Sequence, residues 1–364
     1  MRIPVDIVTG ADPPSYTMEI LTRLPSEIHA RLIRGRGYTT TTTGKAYRLV
    51  HHPLAVRRSR RKGGILHVDT QLLAYVLALP VGPRTVVTCH DLAPFHAEYD
   101  DPSYVSRRHP LDRLYLRLLR SGLHRARCVV TVSEFVKAEL ASFGRRRDVY
   151  VVSQGVDSDR FRPRGREECR AVLEKYGVRT HDPIVLYVGS EHPRKNLPGL
   201  LRSFARIRRP STVLVKVGAP RHPQREELLR LTQTLGLNHR VAFVDRVEGQ
   251  DLPFLYGAAS AVVLPSFYEG FGLPPLEAMA CGVAVAASNL PSVAEVCGDA
   301  VAYFDPHDET AIAAAIESLL SDGGLAEEIR ARGRSRAQEF PWSRTVRGMV
   351  AVYDRTAEPL DSHR

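Results

Sequence analysis

No uninterrupted apolar stretch among the 364 residues reaches the roughly 18 to 20 positions that a membrane-spanning helix requires. The opening MRIPVDIVTG also lacks the apolar core of a secretory signal, so a cytoplasmic location is expected. Cysteine is scarce and odd in number: Cys89, Cys128, Cys169, Cys281 and Cys297 are scattered, mostly among apolar or small neighbours. That pattern argues against a disulfide framework or a cysteine-rich metal cluster and predicts reduced core residues. No His, Asp and Glu grouping has metal-ligand spacing, and Asp157-Ser158-Asp159 reads as a turn. Nor is there a nucleic-acid-binding module or an aromatic-studded basic stretch, so nucleic acid is not an expected partner.

What is present suits a soluble globular protein of two ordinary domains, with 43% hydrophobic and 25% charged residues. Charge is uneven: residues 1–150 hold 24 Lys and Arg against 13 Asp and Glu, and the remainder holds 27 of each. The excess includes Arg57, Arg58, Arg60, Arg61 and Lys62, then Arg107 and Arg108, then Arg145, Arg146 and Arg147. Such clusters attract a phospholipid leaflet, a polyprenyl diphosphate or nucleic acid, and they also serve as plain solvated faces.

Apolar runs at Ile3–Val8, Ile65–Val68, Thr85–Thr88 and Val129–Val132 predict buried strands, with helical stretches such as Leu111–Leu123 between them. Alternation of this kind predicts an α/β fold with parallel sheets and crossover helices. The low-complexity segment Tyr38–Thr43 (YTTTTT) is a strand or a loop edge and carries no assigned function. A change to charged linker composition at FRPRGREECR predicts domains over 1–165 and 166–340. After it, Ile184–Gly189 opens a second Rossmann-like unit.

The chain is organised around Ser266–Gly282, SFYEGFGLPPLEAMACG. The strand AVVLP precedes it, and LEAMA has good helix formers. Between them Gly270 and Gly272 let the backbone approach a ligand and expose N–H groups near a helix start, where an anion such as a diphosphate is favoured. Glu269 then faces a sugar, and Glu277, about two turns on, is placed to accept hydrogen bonds from ribose hydroxyls. Either glutamate taken alone reads more readily as a solvated surface acid.

Extended to SFYEGFGLPPLEAMACGVAVAASNLPSVAEV, the stretch closely resembles the donor-site signature of the family 4 retaining glycosyltransferases. The resemblance implies the GT-B fold, two Rossmann-like domains facing each other across a cleft, with a last helix at 341–357 returning to the first. It implies that Glu269, Gly270, Phe271, Gly272, Leu273 and Glu277 hold a nucleoside diphosphate sugar. In Pro193-Arg194-Lys195-Asn196 the basic pair resembles the family's diphosphate holders, while the turns at Gly189 and Gly218 resemble those that approach the nucleotide. Asp245 stands where a glycine is common. In the first half, His90-Asp91-Leu92 resembles a segment whose histidine approaches the donor sugar, and Ser133-Glu134-Phe135 and Gln154-Gly155-Val156-Asp157 resemble two more, with Gln154 in place of asparagine. Ser133 also reads as a helix cap. The glycine-rich loop found after the first strand in many relatives is reduced here to Gly10 within TGADPPSYTMEIL.

The implied activity is retaining, metal-independent glycosyl transfer with Glu269, His90, Arg194 and Lys195 as catalytic candidates and no cofactor. Similarity in YEGFGLPPLEAMA leans toward prokaryotic mannosyltransferases that use GDP-mannose for surface or lipid-linked glycans. The expected partners are the donor, a glycan or polyprenyl-linked acceptor and an anionic membrane surface, which would make the protein peripheral on the inner face of the membrane. A UDP- or dTDP-sugar donor, and a GT-B epimerase or phosphorylase, are the alternatives.

Overall fold

The computed structural model describes residues 3–9, 15–34, 51–96, 110–144 and 148–359. Gly10, the segment 38–43, Arg107, Arg108 and Arg145, Arg146 and Arg147 lie outside the described residues. The chain divides into two compact units, 1–155 with 342–364, and 156–341.

In the first unit, β1 (Ile3–Thr9), β2 (Ile28–Arg34), β3 (Ile65–Val68), β4 (Thr85–Cys89), β5 (Cys128–Thr131) and β6 (Val149–Val151) form a parallel sheet in the order β2-β1-β3-β4-β5-β6. Every residue of β3, β4 and β5 is buried, as expected of parallel strands covered on both faces. The helix Pro110–Arg125 and the cap of Glu134–Ser142 follow the sequence reading, Ser133 Oγ accepting from Val136 N at 3.2 Å. The helix Ser15–Arg23, β2 and the 3-10 stretch Gln71–Ala78 were not anticipated.

The basic run near residue 60 is partly structural. Arg61 donates from its backbone and Nε to both oxygens of buried Asp6, at 2.6 and 2.9 Å, and from Nη2 to the carbonyls of Val5 and His29. It staples β1 to β2, while Arg57, Arg58 and Lys62 are exposed.

The last helix, Trp342–Ala357, supplies Trp342, Met349, Val352 and Tyr353 to the same core as Val5, Ile65, Val86 and Val130. Its register is fixed by His67, whose Nδ1 lies 2.8 Å from Tyr353 Oη and whose Nε2 lies 2.8 Å from Thr88 Oγ1. Burial pushes the His67 pKa down to about 3, with the nearby His90 adding to the effect, so the ring is neutral.

In the second unit, β7 (Ile184–Val188), β8 (Val213–Val217), β9 (Val241–Val244), β10 (Ala261–Leu264), β11 (Val285–Ser288) and β12 (Ala302–Phe304) form a parallel sheet ordered β12-β11-β10-β7-β8-β9. Its core joins Val185, Tyr187, Leu200, Phe204, Leu214, Val263, Ile312 and Ile316. The division at Gly155/Val156 lies ahead of the charged segment at 160–170, for a physical reason. Val156 N donates to Phe340 O, Phe161 is 4% exposed and meets the Tyr256 ring, and the Arg164 guanidinium lies 4.6 Å from the Phe254 ring centre. These contacts build the charged segment into the second unit. All five cysteines are buried and free.

Replacing Tyr353 by Phe removes one partner of a fully buried imidazole, and urea unfolding should report a loss of about 1–3 kcal/mol. Because the folded pKa of His67 is depressed, its stabilising contribution is present above pH 6.5 and lost as pH falls toward 3. An unchanged midpoint for Tyr353→Phe at pH 7 would sink this account of the last helix.

Candidate functional site

The second sheet reverses its strand order between β7 and β10, and ligands of open α/β sheets bind outside the carboxyl ends of strands at such a switch point. The chain leaving β7 passes Gly189 and forms a short 3-10 turn, Pro193–Lys195. Asn196 follows in the left-handed region at φ 53°, where its Oδ1 accepts from Gly199 N at 3.2 Å and its Nδ2 donates to Pro306 O at 2.8 Å. This turn presents Arg194 and Lys195 to the loop that leaves β10.

There the two cations converge on one carboxylate. Lys195 Nζ lies 2.6 Å from Glu269 Oε1, and Arg194 Nη1 lies 3.4 Å from Oε2 and 3.0 Å from the carbonyl of Tyr268. Ser266 Oγ donates to Glu269 Oε1 at 2.7 Å, and Ser292 Oγ donates to the Glu269 carbonyl at 2.6 Å. Glu269 is 7% exposed. Burial alone would raise its pKa, but Lys195, Arg194 and the hydrogen bonds outweigh burial and hold it below the usual carboxylate range. Two positive charges face one negative, so the group carries a surplus of one positive charge.

Gly272, at φ 116°, caps the helix Leu273–Ala280, and Pro274 and Pro275 carry no N–H. Donors at this helix start therefore lie at Leu273 and before it. The Phe271 ring is 5% exposed and meets Phe340 edge-on at 6.1 Å, so its side chain anchors the loop. Glu277, from the middle of the helix, accepts from Tyr256 Oη at 2.8 Å. Desolvation raises its pKa to about 7, against the opposing Tyr256 bond and the Arg160 charge.

On the other side of β7, a cavity of about 510 Å³ is lined by Val188, Gly189, Val217, Gly218, Pro220 and Asp245 among others. Gly218 has φ 139°, and a Cβ there would stand 2.2 Å from the carbonyl oxygen of Gly189, so the strand ends meet only through glycine. Beside the cavity a buried network closes on Glu191. Lys216 Nζ donates to its Oε1 at 2.7 Å, Arg225 Nε at 2.8 Å, and Arg221 N to Oε2 at 2.8 Å. Arg225 Nη2 also reaches Asp245 Oδ1 at 2.5 Å.

In the first unit, where strand order reverses between β1 and β3, a second polar cluster forms. His90 Nε2 lies 2.9 Å from the carbonyl of Asp69, which can only accept, so this nitrogen carries the proton. Nδ1 accepts from Gln154 Nε2 at 3.1 Å, and Gln71 Oε1 accepts from His90 N at 3.0 Å. Burial lowers the His90 pKa despite the Asp69 carbonyl and the Asp91 charge. Asp69 is 1% exposed, accepts from Thr17 Oγ1 at 2.8 Å, and is pushed up to about 6 by burial against its hydrogen bonds.

Residues 1–160 match the family model described as Glycosyltransferase Family 4, and residues 170–336 match Glycosyl transferases group 1. Over 319 residues the chain is 36% identical to O-antigen chain mannosyltransferase B of Escherichia coli, covering 85% of this chain and 79% of the relative. The chain belongs to the family 4 glycosyltransferases.

This glycosyltransferase is also 28% identical to the serotype-specific mannosyltransferase WbdA of Escherichia coli, over 78% of the chain but only 35% of that longer protein. Among solved structures it matches sucrose-phosphate synthase from Thermosynechococcus elongatus with a TM-score of 0.80 at 24% identity, covering 97% of this chain and 99% of that one. It matches Anabaena HepE in complex with UDP and glucose at 0.79 and 18% identity, covering 97% and 100%. These likenesses show the GT-B fold.

The structure thus brings Arg194, Lys195 and Glu269 of the glycosyltransferase into direct contact, with Gly270, Phe271, Gly272 and Leu273 continuing the same loop. Glu277 bonds instead to Tyr256. Gly189 and Gly218 line the neighbouring cavity, and His90 belongs to the first unit. Sequence reasoning missed Ser292, Asp69, Gln71 and the Glu191 network. For the last a signal existed: Lys216 interrupts the apolar strand VLVKV, where a lysine needs a buried partner. Among the described residues no group of three or more His, Cys, Asp or Glu could hold a metal ion.

Glu277 is predicted to make stability depend on pH. Its folded pKa of about 7 exceeds the ordinary 4.5, so the folded state binds the proton more tightly and stability falls as pH rises from about 4.5 to 7. In thermal melts, Glu277→Gln should match the parent near pH 4 and melt higher above pH 7. Equal melting at pH 8 would contradict the assignment of Glu277 as a partly buried carboxyl raised by desolvation.

Proposed function

We propose that this glycosyltransferase moves a mannosyl group from GDP-mannose to a glycan or polyprenyl-linked acceptor, with retention at the anomeric carbon and without a metal ion. The observation that carries the reading is the pairing of Arg194 and Lys195 with Glu269 at the switch point of the donor-side sheet. The mannosyltransferase names of the relatives support the choice of sugar.

The triad's surplus positive charge is suited to a diphosphate. Arg194 offers a fork of donors and Lys195 a point charge, and both stabilise the charge that grows on the leaving nucleoside diphosphate as the C1–O bond breaks. Glu269, held by Ser266, is then placed to accept hydrogen bonds from the hydroxyls of the sugar as it becomes oxocarbenium-like. The acceptor oxygen bonds to C1 on the face the phosphate leaves, and its proton passes to the departing phosphate oxygen. Glu277 serves the ribose, and the Gly189 and Gly218 strand ends admit the base. His90 orients the sugar or acceptor as a neutral ring. Exposed Arg57, Arg58 and Lys62 give the first unit an anionic-surface contact, which suits a lipid-linked acceptor and a peripheral location on the inner face of the membrane. No helix of the described residues is long and apolar enough to cross a membrane.

The test is transfer from GDP-mannose, UDP- and dTDP-sugars with EDTA present, with the product's anomeric configuration read by NMR. Lys195→Ala and Glu269→Ala should each lower turnover at least about tenfold, with circular dichroism confirming a folded protein. Normal turnover in folded variants would remove the site assignment, and an inverted product would remove the retaining mechanism. Flotation with anionic vesicles at low salt should exceed flotation with neutral ones, and equal partition would exclude the membrane contact.

A further inference from the structure

The cavity between the ends of β7, β8 and β9 carries one charged pair that the donor scheme has not used. Its walls are largely apolar: Val188, Val217, Pro220, Val247 and Leu252 suit the faces of a flat base. Asp245 and Arg246 line the same cavity, adjacent in sequence and opposite in charge. The Asp245 side chain is 48% exposed, and its Oδ1 is fixed by Arg225 Nη2 at 2.5 Å. Arg225 is in turn anchored on Glu191, whose side chain is fully buried, and its guanidinium lies 4.8 Å from the Phe243 ring centre. Two positive groups, Lys216 and Arg225, thus meet two carboxylates in a closed, charge-balanced network that sets the direction of the Asp245 carboxylate.

We infer that Asp245 is the residue that selects guanine in the donor nucleotide. The inference rests on the donor-site reading proposed above and assigns its base specificity. Guanine presents two adjacent donors, N1–H and the N2 amine, which a carboxylate accepts in parallel. The O6 and N7 acceptors on the same base match an arginine such as Arg246. Uracil and thymine present one N–H flanked by two carbonyl oxygens, and those oxygens repel a carboxylate. Adenine offers an acceptor at N1, which Asp245 cannot satisfy.

Calorimetric titration of the whole protein with GDP, inosine diphosphate, UDP and ADP tests this without any substitution. Inosine diphosphate keeps N1–H and O6 but lacks the N2 amine, so it should bind about tenfold more weakly than GDP, the loss of one hydrogen bond to a charged acceptor. UDP and ADP should bind more weakly still. Asp245→Asn retains an oxygen for Arg225 but turns an amide donor toward the N2 amine. It should lose the preference for GDP and gain one for xanthosine diphosphate, whose O2 carbonyl accepts that donor. Equal binding of GDP and inosine diphosphate by the parent, or a GDP preference surviving Asp245→Asn, would overturn the role of Asp245 and leave the donor site standing. Absence of binding by every nucleoside diphosphate would overturn the donor-site reading and this assignment together.

Discussion

One buried carboxylate sets the terms for the second unit. Glu269 is nearly inaccessible to water and remains ionised only because Lys195 and Arg194 are brought to it from a different strand end. Such a group is not chiefly a source of stability, since removing three charges from water costs several kcal/mol per ion and their attraction offsets that only with good geometry. Its consequence is position. The left-handed Asn196, the 3-10 turn before it, and the hydroxyls of Ser266 and Ser292 all serve to hold two cations and one anion in fixed relation. A site that stabilises developing charge needs this rigidity, because dipoles and ions already in place do not have to reorganise during the reaction.

Three glutamates of the same unit show how environment divides identical side chains. Glu191 and Glu269 are both buried, and burial is the largest influence on each, yet both sit below the ordinary carboxylate range because cations bond to them directly. Glu277 has a phenol as its hydrogen-bond partner and only a more distant arginine charge, and there burial prevails. Two permanent anions and one acid that titrates near neutrality follow from partner chemistry rather than from depth.

Much of the fold was legible because parallel strands buried on both faces are written as unbroken apolar runs, as in VVT, IVLYV and AVVL. The 266–282 loop stood out for another reason: glycines, a serine and two glutamates at fixed spacing are not what packing alone requires. What stayed hidden has common causes. QLLAYVLA is apolar throughout, so periodicity could not separate strand from helix, and it folds as a 3-10 stretch whose first residue, Gln71, brackets His90. Arg61 looked like one of a solvated basic run, yet it binds Asp6, 55 residues away in sequence. Pairings across such separations leave no local pattern. Nor does the fact that Arg194 and Lys195 meet Glu269, which depends on strand order in the sheet.

The first unit constrains the chemistry in a way the HDL segment alone does not. With Nε2–H given to the Asp69 carbonyl and Nδ1 facing the Gln154 amide, His90 is a neutral ring whose two nitrogens are both engaged within the unit. Taking up a proton at Nδ1 would set two donors against each other, which is consistent with a pKa lowered by burial. A ring held in this way serves as a fixed dipole and not as a base. In the scheme proposed for this glycosyltransferase the acceptor's proton goes to the departing phosphate, a reading with which a non-basic His90 is consistent. In the same scheme Arg194 and Lys195 would lower that phosphate's basicity without abolishing it. The ion group around Glu269 and the tautomer of His90 are therefore both consistent with the proposed division of labour, in which protein groups orient and stabilise while the substrates exchange the proton.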